Sequence, residues 1–357
     1  MDKNKSAKDI SLGLIGFGYW GPNLARNFAR EKNCEIIAIC DKNKARLQEA
    51  SQVYTDVYLT QHPKELFENK NIDAIIIATP VSSHHPLTMA SLRSGKDVFL
   101  EKPLALNMKE GREIVEEALK LERILAVDHT FLFTSAVRKI KDLITRNVIG
   151  DLIYIDSVRV NLGLFQPDIN VIFDLAPHDM SIATFLIEQE PKYVQAMGLC
   201  YGASGQESVA YSHLEYESGL VSHSHFSWLS PVKIRKSIVA GTKKMLIYDD
   251  TLPSEKIKIY DKGIIKKNFN QANSHQENTM EDQRKVKISY RTGDMLAPEV
   301  DEIEALEVAA RHFLDCVRNR NEPISSGSFG LKILKQIQGC QLSLSDNGRR
   351  VELDEIN

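Results

Sequence analysis

Long apolar runs are missing from this chain of 357 residues. None approaches the roughly 20 consecutive apolar positions a membrane helix needs, so no membrane partner is expected. Cysteine is scarce. The five present (Cys34, Cys40, Cys200, Cys316 and Cys340) are scattered and form no C-x-x-C. That pattern argues against a disulfide frame and a zinc ribbon, and it fits reduced thiols in the cytoplasm. An excess of one charge is also missing: 45 Lys and Arg stand against 48 Asp and Glu, a net charge of −3. A polyanion-binding surface, and with it a nucleic-acid partner, is not expected. The opening residues Met1 to Asp9 are polar and lysine-rich with no apolar core behind them, so they do not read as a secretory signal. There is no internal repeat and no low-complexity tract.

What is present is an ordinary globular composition, 43% hydrophobic and 26% charged. The length suggests two domains. The stretch Leu12 to Phe28, LGLIGFGYWGPNLARNF, organises the first of them. A β-type apolar run leads into Gly16, Gly18 and Gly21, and a helix-like run follows from Asn23. A G-x-G-x-x-G in that setting is a dinucleotide-binding fingerprint. Gly16 permits a tight turn, Gly18 lets backbone approach a pyrophosphate, and Gly21 lets helix pack on strand. The helix N-terminus offers unpaired N–H groups to phosphate. Phe17, Tyr19 and Trp20 belong to the same loop. The next apolar run ends at Asp41, twenty positions past Gly21, where a carboxylate accepts from ribose hydroxyls and disfavours a 2′-phosphate. NAD is therefore expected over NADP, although Arg46 leaves room for NADP. A strand-end or capping aspartate is the plainer reading of Asp41.

The first half keeps alternating between short apolar strands and helix-like segments, which predicts a doubly wound parallel sheet. Ligands in such sheets bind beyond the carboxyl ends of the strands. Asp41, Thr79-Pro80 and Glu101-Lys102-Pro103 stand at successive strand ends. Each alone reads equally well as loop chemistry; together they form one candidate site. We expect a Rossmann domain over residues 1–128 and a substrate and oligomerisation domain over 129–357.

The glycine loop, Asp41, Ala78-Thr79-Pro80 with His84, and above all Glu101-Lys102-Pro103 resemble the Gfo/Idh/MocA oxidoreductases, over nearly the whole chain. The resemblance implies a second α/β domain built on a large open, mostly antiparallel sheet. It also implies oxidation or reduction of a sugar-like alcohol with NAD(P), and cofactor contacts from Gly16, Phe17, Gly18, Tyr19, Trp20, Gly21, Asp41, Arg46, Thr79, Pro80, His84, Glu101 and Lys102. Its D-x-x-x-H motif is matched by Asp174-Leu175-Ala176-Pro177-His178, which with Lys102 would supply the catalytic groups. Where the family often has another acid three residues past the histidine, this chain has Ser181, with Asp179 adjacent to the histidine.

In the second half, Ala136 to Asn147 and Val171 to Ile187 read as helices. The latter sets Asp174 and His178 on one face. Long β runs cover Leu152 to Leu162, Tyr193 to Leu199, Ser208 to Tyr216, Gly219 to Trp228, Lys233 to Ala240 and Lys244 to Tyr248, and they predict an antiparallel meander. An open sheet face of that size is expected to be buried in a homodimer or homotetramer. Phe165 to Asn170 and Gly202 to Gln206 read as loops. Glu255 to Arg291 is polar, with Asn268 to Asp282 reading as an excursion that is either solvated loop or a contact for a large substrate. Ile303 to Arg318 and Leu331 to Leu344 close the chain as helices around a turn at Ser325 to Gly330. His223 and His225 share a strand face and could hold a metal with His213, but no further ligand stands near, and no metal is expected.

The expected chemistry is hydride transfer. His178 takes the hydroxyl proton, Lys102 stabilises the alkoxide, and Asp174 orients the imidazole. The favoured substrate is a UDP- or dTDP-linked hexose such as UDP-N-acetylglucosamine, oxidised at C3. A free sugar or inositol is the nearest alternative, and a nicotinamide-binding regulator or scaffold without turnover is an alternative of another class.

Overall fold

A computed structural model describes residues 10–163, 169–201, 205–265 and 289–356. The loop expected at Phe165 to Asp168, most of the turn after Gly202 and the excursion at Asn268 to Asp282 lie outside the described residues.

The first half folds as expected. Six parallel strands, β1 (Ile10–Ile15), β2 (Cys34–Cys40), β3 (Tyr58–Thr60), β4 (Ala74–Ile77), β5 (Asp97–Leu100) and β6 (Leu125–Val127), form a sheet in the order β3-β2-β1-β4-β5-β6. Strand order reverses between β1 and β4, the switch point where such sheets place a ligand. β4 and β5 are buried at every position, as strands covered on both faces must be. Helix α1 (Gly21–Arg30) begins two residues before the expected Asn23. Pro22 costs it nothing, because the first helical N–H groups have no intrahelical partner.

The sheet is not covered by the first half alone. Helix α8 (Ala305–Asn319), near the chain's end, returns to pack on it. Phe313 meets Phe28 of α1 and Phe99 of β5 edge-on, with ring centroids 6.1 and 5.4 Å away, and all three rings are fully buried. A bidentate ion pair, Arg26 to Glu304 at 2.8 and 2.7 Å, ties α1 to the residue that starts α8.

The second sheet has nine strands. β7 (Leu152–Leu162), β8 (Pro191–Cys200), β9 (Glu207–Tyr216), β10 (Val221–Ser227), β11 (Leu229–Gly241), β12 (Met245–Asp249), β13 (Ile257–Ile265), β14 (Ser289–Leu296) and β15 (Val351–Glu352) run in the order β14-β13-β12-β11-β7-β10-β9-β8-β15. The expected simple meander is corrected at the centre, where β10 pairs with β7 in parallel. Mixed pairing of this kind needs a crossover, and α7 (Val171–Ile187), with β8 and β9, provides it. The last helix, α9 (Gly327–Ser345), also corrects an expectation. The proposed turn at Ser325 to Gly330 is the helix start, with the Ser326 hydroxyl accepting from Phe329 N–H at 3.3 Å. The Gly-Ser composition was therefore a capping signal.

One face of the second sheet packs on α7. The other carries Met197, Tyr211, His213 and His223 and is open in the single chain. There His225 stacks on Tyr211 at 4.4 Å and His213 lies 4.3 Å from His223. Among the described residues no group of three or more His, Cys, Asp or Glu has metal-binding spacing, and no helix is long and apolar enough to cross a membrane.

Phe313→Ala should cost about 3–5 kcal/mol of stability, since it empties the joint between α8 and the first sheet. Urea denaturation of the full chain measures it.

Candidate active site

The glycine loop leaves β1 and enters α1 at the switch point. Two of its glycines are required by the protein itself. Gly16 has φ +96°, and a Cβ there would lie 2.4 Å from the Ala78 carbonyl oxygen; a Cβ on Gly21 would lie 2.1 Å from that of Gly16. Gly18 differs. A Cβ on it meets nothing within 4 Å, and its backbone needs no left-handed conformation. Neither packing nor dihedral angle explains that glycine, so the space above it is available to a ligand. This is the fit expected for a dinucleotide pyrophosphate, with the α1 N-terminus behind it.

Asp41, at the end of β2, accepts from the Phe17 N–H at 2.7 Å and from the Asn43 N–H at 2.8 Å. Each oxygen keeps lone-pair capacity for ribose hydroxyls. Arg46 sits on the exposed surface of the next helix and pairs with Glu49 at 2.8 Å. His84 corrects an expectation. It is fully buried, its Nδ1 lies 2.7 Å from the Pro103 carbonyl and its Nε2 2.9 Å from the Thr79 carbonyl. The ring joins two strand-end segments and contacts no open space. Burial holds its pKa below the ordinary histidine value.

Beyond the loop lies a cavity of about 1070 Å³ between the two sheets. Gly18, Tyr19, Trp20, Thr79, Pro80, Glu101, Lys102, Asp174 and His178 line it; Gly16, Phe17, Gly21, Asp41, Arg46 and His84 do not. The three expected catalytic side chains thus converge from both halves of the chain.

Lys102 follows β5 and reaches α7. Its Nζ donates to the Asp174 carbonyl at 2.9 Å and lies 3.4 Å from the Asp174 carboxylate. Pro177 lies inside this helix and brings no N–H, which loosens the turn around it. The other Asp174 carboxylate oxygen accepts from the indole of the buried Trp228 at 3.0 Å. The expected Asp174–His178 pairing is therefore corrected. Residues at i and i+4 share a helix face, but Trp228 and Lys102 claim the carboxylate first. His178 instead packs edge-on to Phe131 at 5.1 Å, and its Nδ1 is buried with no partner. Burial first, then the positive charges of Lys102, Arg159 and Arg235, hold its pKa well below 6.5. The neutral imidazole is therefore the favoured form of His178.

Four contributors were missed in the sequence. Asp128, at the end of β6, accepts from Thr130 at 2.7 Å and from the Trp20 indole at 3.4 Å. Burial, and then the neighbouring Asp128 carboxylate, push Glu101 well above the ordinary carboxylate range. Asp128 occupied one more strand end in a series already recognised, and that signal was available. Phe131, Trp228 and Arg235 gave no local signal. Asp179 does not take the role of the missing acid, because it is buried in an ion pair with Arg159.

A doubly wound sheet with a pyrophosphate-ready glycine loop, opening on a cavity that holds a lysine and a neutral imidazole, defines a nicotinamide-dependent class of protein. Comparison with known proteins places it further. Residues 10–129 match the model of the oxidoreductase family with an NAD-binding Rossmann fold, Gfo/Idh/MocA, and residues 137–247 match the C-terminal domain of the same family. Together these matches span well over half of the chain, and the protein belongs to the Gfo/Idh/MocA oxidoreductases. It is 28% identical to the uncharacterized oxidoreductase YdgJ of Escherichia coli over 66% of this chain and 70% of that protein. It is 27% identical to a myo-inositol 2-dehydrogenase of Thermotoga maritima over 59% of this chain, and that alignment covers just under two thirds of the relative, 66%. The solved structure of a UDP-N-acetylglucosamine 3-dehydrogenase from Acidithiobacillus ferrooxidans shares the fold, with a TM-score of 0.74 at 19% identity over 94% of this chain and 98% of that one.

Gly18→Val should leave the melting temperature unchanged and weaken NAD binding by roughly tenfold or more, because the side chain occupies only the space reserved for pyrophosphate. Thermal unfolding and NADH fluorescence titration separate the two effects; a fall in melting temperature with unaltered NADH binding would contradict it.

Proposed function

We propose that this protein oxidises a secondary ring alcohol of a sugar with NAD, in the reversible sense any dehydrogenase has. One observation carries the reading: Lys102 from the first domain and His178 from the second line one cavity, and Lys102 is held by Asp174 one helical turn before His178. Bound NAD supplies the hydride acceptor. The chain's part is to position the alcohol and handle its proton. The neutral His178 ring takes the hydroxyl proton at the edge facing the cavity. The Lys102 ammonium stabilises the negative charge that grows on the oxygen. Asp174 aims that ammonium through its carbonyl and carboxylate, and Trp228 keeps Asp174 in place.

For the substrate we favour a nucleotide-linked hexose such as UDP-N-acetylglucosamine, oxidised at C3. The cavity is large for a monosaccharide beside a nicotinamide, and Arg235 and Lys256 line it in addition to Lys102. The fold shared with a UDP-N-acetylglucosamine 3-dehydrogenase is consistent with it. A free polyol is the second reading, favoured by the carboxylates Asp250, Asp301 and Glu302 on the same walls and by the myo-inositol 2-dehydrogenase relative. We place a homo-oligomer at the open face of the second sheet, where Met197 and Tyr211 are more than half exposed; light scattering tests it.

Lys102→Ala and His178→Ala should each lower turnover by about 10²–10⁴-fold while NADH binding persists. Wild-type turnover in both variants would remove the proposal. The acid limb of kcat/KM should fall below pH 6.5, because the base stays unprotonated until its depressed pKa is reached. A panel of nucleotide sugars and free polyols, followed by NADH absorbance, gives the profile and decides between the two substrate readings.

A further inference from the structure

We propose that Arg235 anchors an anionic group, a carboxylate or a phosphate, on the sugar, and so selects the class of substrate. This rests on the dehydrogenase reading above and deepens it.

Arg235 lies in β11, in register with Arg159 of β7, and lines the cavity that holds Lys102 and His178. The two arginines show what a used and an unused guanidinium look like in one sheet. The Arg159 side chain is 4% exposed, donates from Nε and Nη2 to Asp179, and lies over the Phe131 ring at 4.4 Å. The Arg235 side chain is 38% exposed, and among the described residues it makes one side-chain contact, Nη1 to Asp250 at 3.4 Å. A guanidinium has five donors in a rigid fork, and that long contact leaves most of them open toward the cavity.

Asp250 does not neutralise this corner. Its carboxylate also accepts from the Tyr248 hydroxyl at 3.1 Å, and its backbone carbonyl accepts from Lys256 Nζ at 3.4 Å. Lys256 lines the cavity too, so Asp250 is shared between two cations, with Asp301 and Glu302 on the same walls. The charge of Arg235 is also felt at the reacting end, since it opposes protonation of His178. The pyrophosphate cradle at Gly18 follows β1 of the first sheet, whereas Arg235 stands in β11 of the second. A neutral polyol would leave the fork unmatched, whereas carboxylate and phosphoryl oxygens accept two parallel N–H bonds from it.

The test is calorimetric titration of glucose, glucuronate, UDP-glucose and UDP-glucuronate into the full-length, NADH-loaded wild type, Arg235→Met and Arg235→Lys. An anionic sugar should bind the wild type roughly 10–100-fold more tightly than its neutral parent. Arg235→Met should erase that advantage, and Arg235→Lys should restore part of it, because a point charge remains without the fork. NADH affinity and melting temperature should not move in either variant. A gain with glucuronate assigns the carboxylate, and a gain confined to the UDP-sugars assigns the phosphate. Equal binding of glucose and the anions to the wild type overturns the proposal, and so does an anion advantage that survives in Arg235→Met. Failure of the underlying dehydrogenase reading is separable: wild type would then transfer no hydride to or from any sugar while the Arg235-dependent anion binding remained.

Discussion

The contact between the Lys102 ammonium and Asp174 is the constraint on which the site depends. It crosses from the end of β5 to α7 and so joins the unit that carries the glycine loop to the unit that carries the imidazole. Both partners are partly open, with side chains 19% and 26% exposed. Such a pair adds little stability; its value is geometric. It fixes one turn of α7 against the strand end, and His178 sits on the next turn. Trp228 completes the arrangement from the second sheet by taking the remaining carboxylate oxygen. Three elements distant in sequence thus determine where one amine points.

The electrostatics of the cavity follow from that placement. Burial disfavours the charged form of His178, and the positive charges of Lys102, Arg159 and Arg235 add to it, so the neutral ring is favoured. A proton acceptor kept neutral beside an ammonium suits alkoxide chemistry, because the charges that penalise the imidazolium also favour the oxyanion. Beside Lys102, burial and the Asp128 carboxylate push Glu101 well above the ordinary carboxylate range, which limits the negative charge there. Arg159 stays out of the cavity because Asp179 compensates it in the interior, which is where an arginine with two good hydrogen bonds is tolerated.

The fold explains how the two units are held at this spacing. α8 leaves the second half, lays Phe313 on Phe28 and Phe99, and is tied to α1 through Glu304 and Arg26. The segment just before it, from Val300 to Ile303, forms one edge of the cavity. α9 then runs between the units and touches α5 (Met108–Lys120) on one side and α7 on the other. The chain therefore closes its first domain with its last quarter.

Much of this was legible in the residues. Strand periodicity, the three glycines and the acid after β2 carry their meaning locally, because tight turns, helix packing and ribose contacts each demand a residue type at a set distance. The bounds of β7 and α7 could be read directly for the same reason: unbroken apolar or alternating patterns leave few other arrangements. Lys102 and His178 could be nominated from sequence. What holds them could not, because Trp228 lies 54 residues from Asp174 and Phe131 lies 47 from His178, and no local rule reports contacts that only chain closure creates. Helical spacing suggested that Asp174 would face His178; tertiary packing decided that the carboxylate goes to an indole and an ammonium instead, because those donors lie within reach and the imidazole offers a weaker claim. The parallel join of β10 to β7, the return of α8 and the open fork of Arg235 were decided in the same way, by which distant surfaces the folded chain brings together.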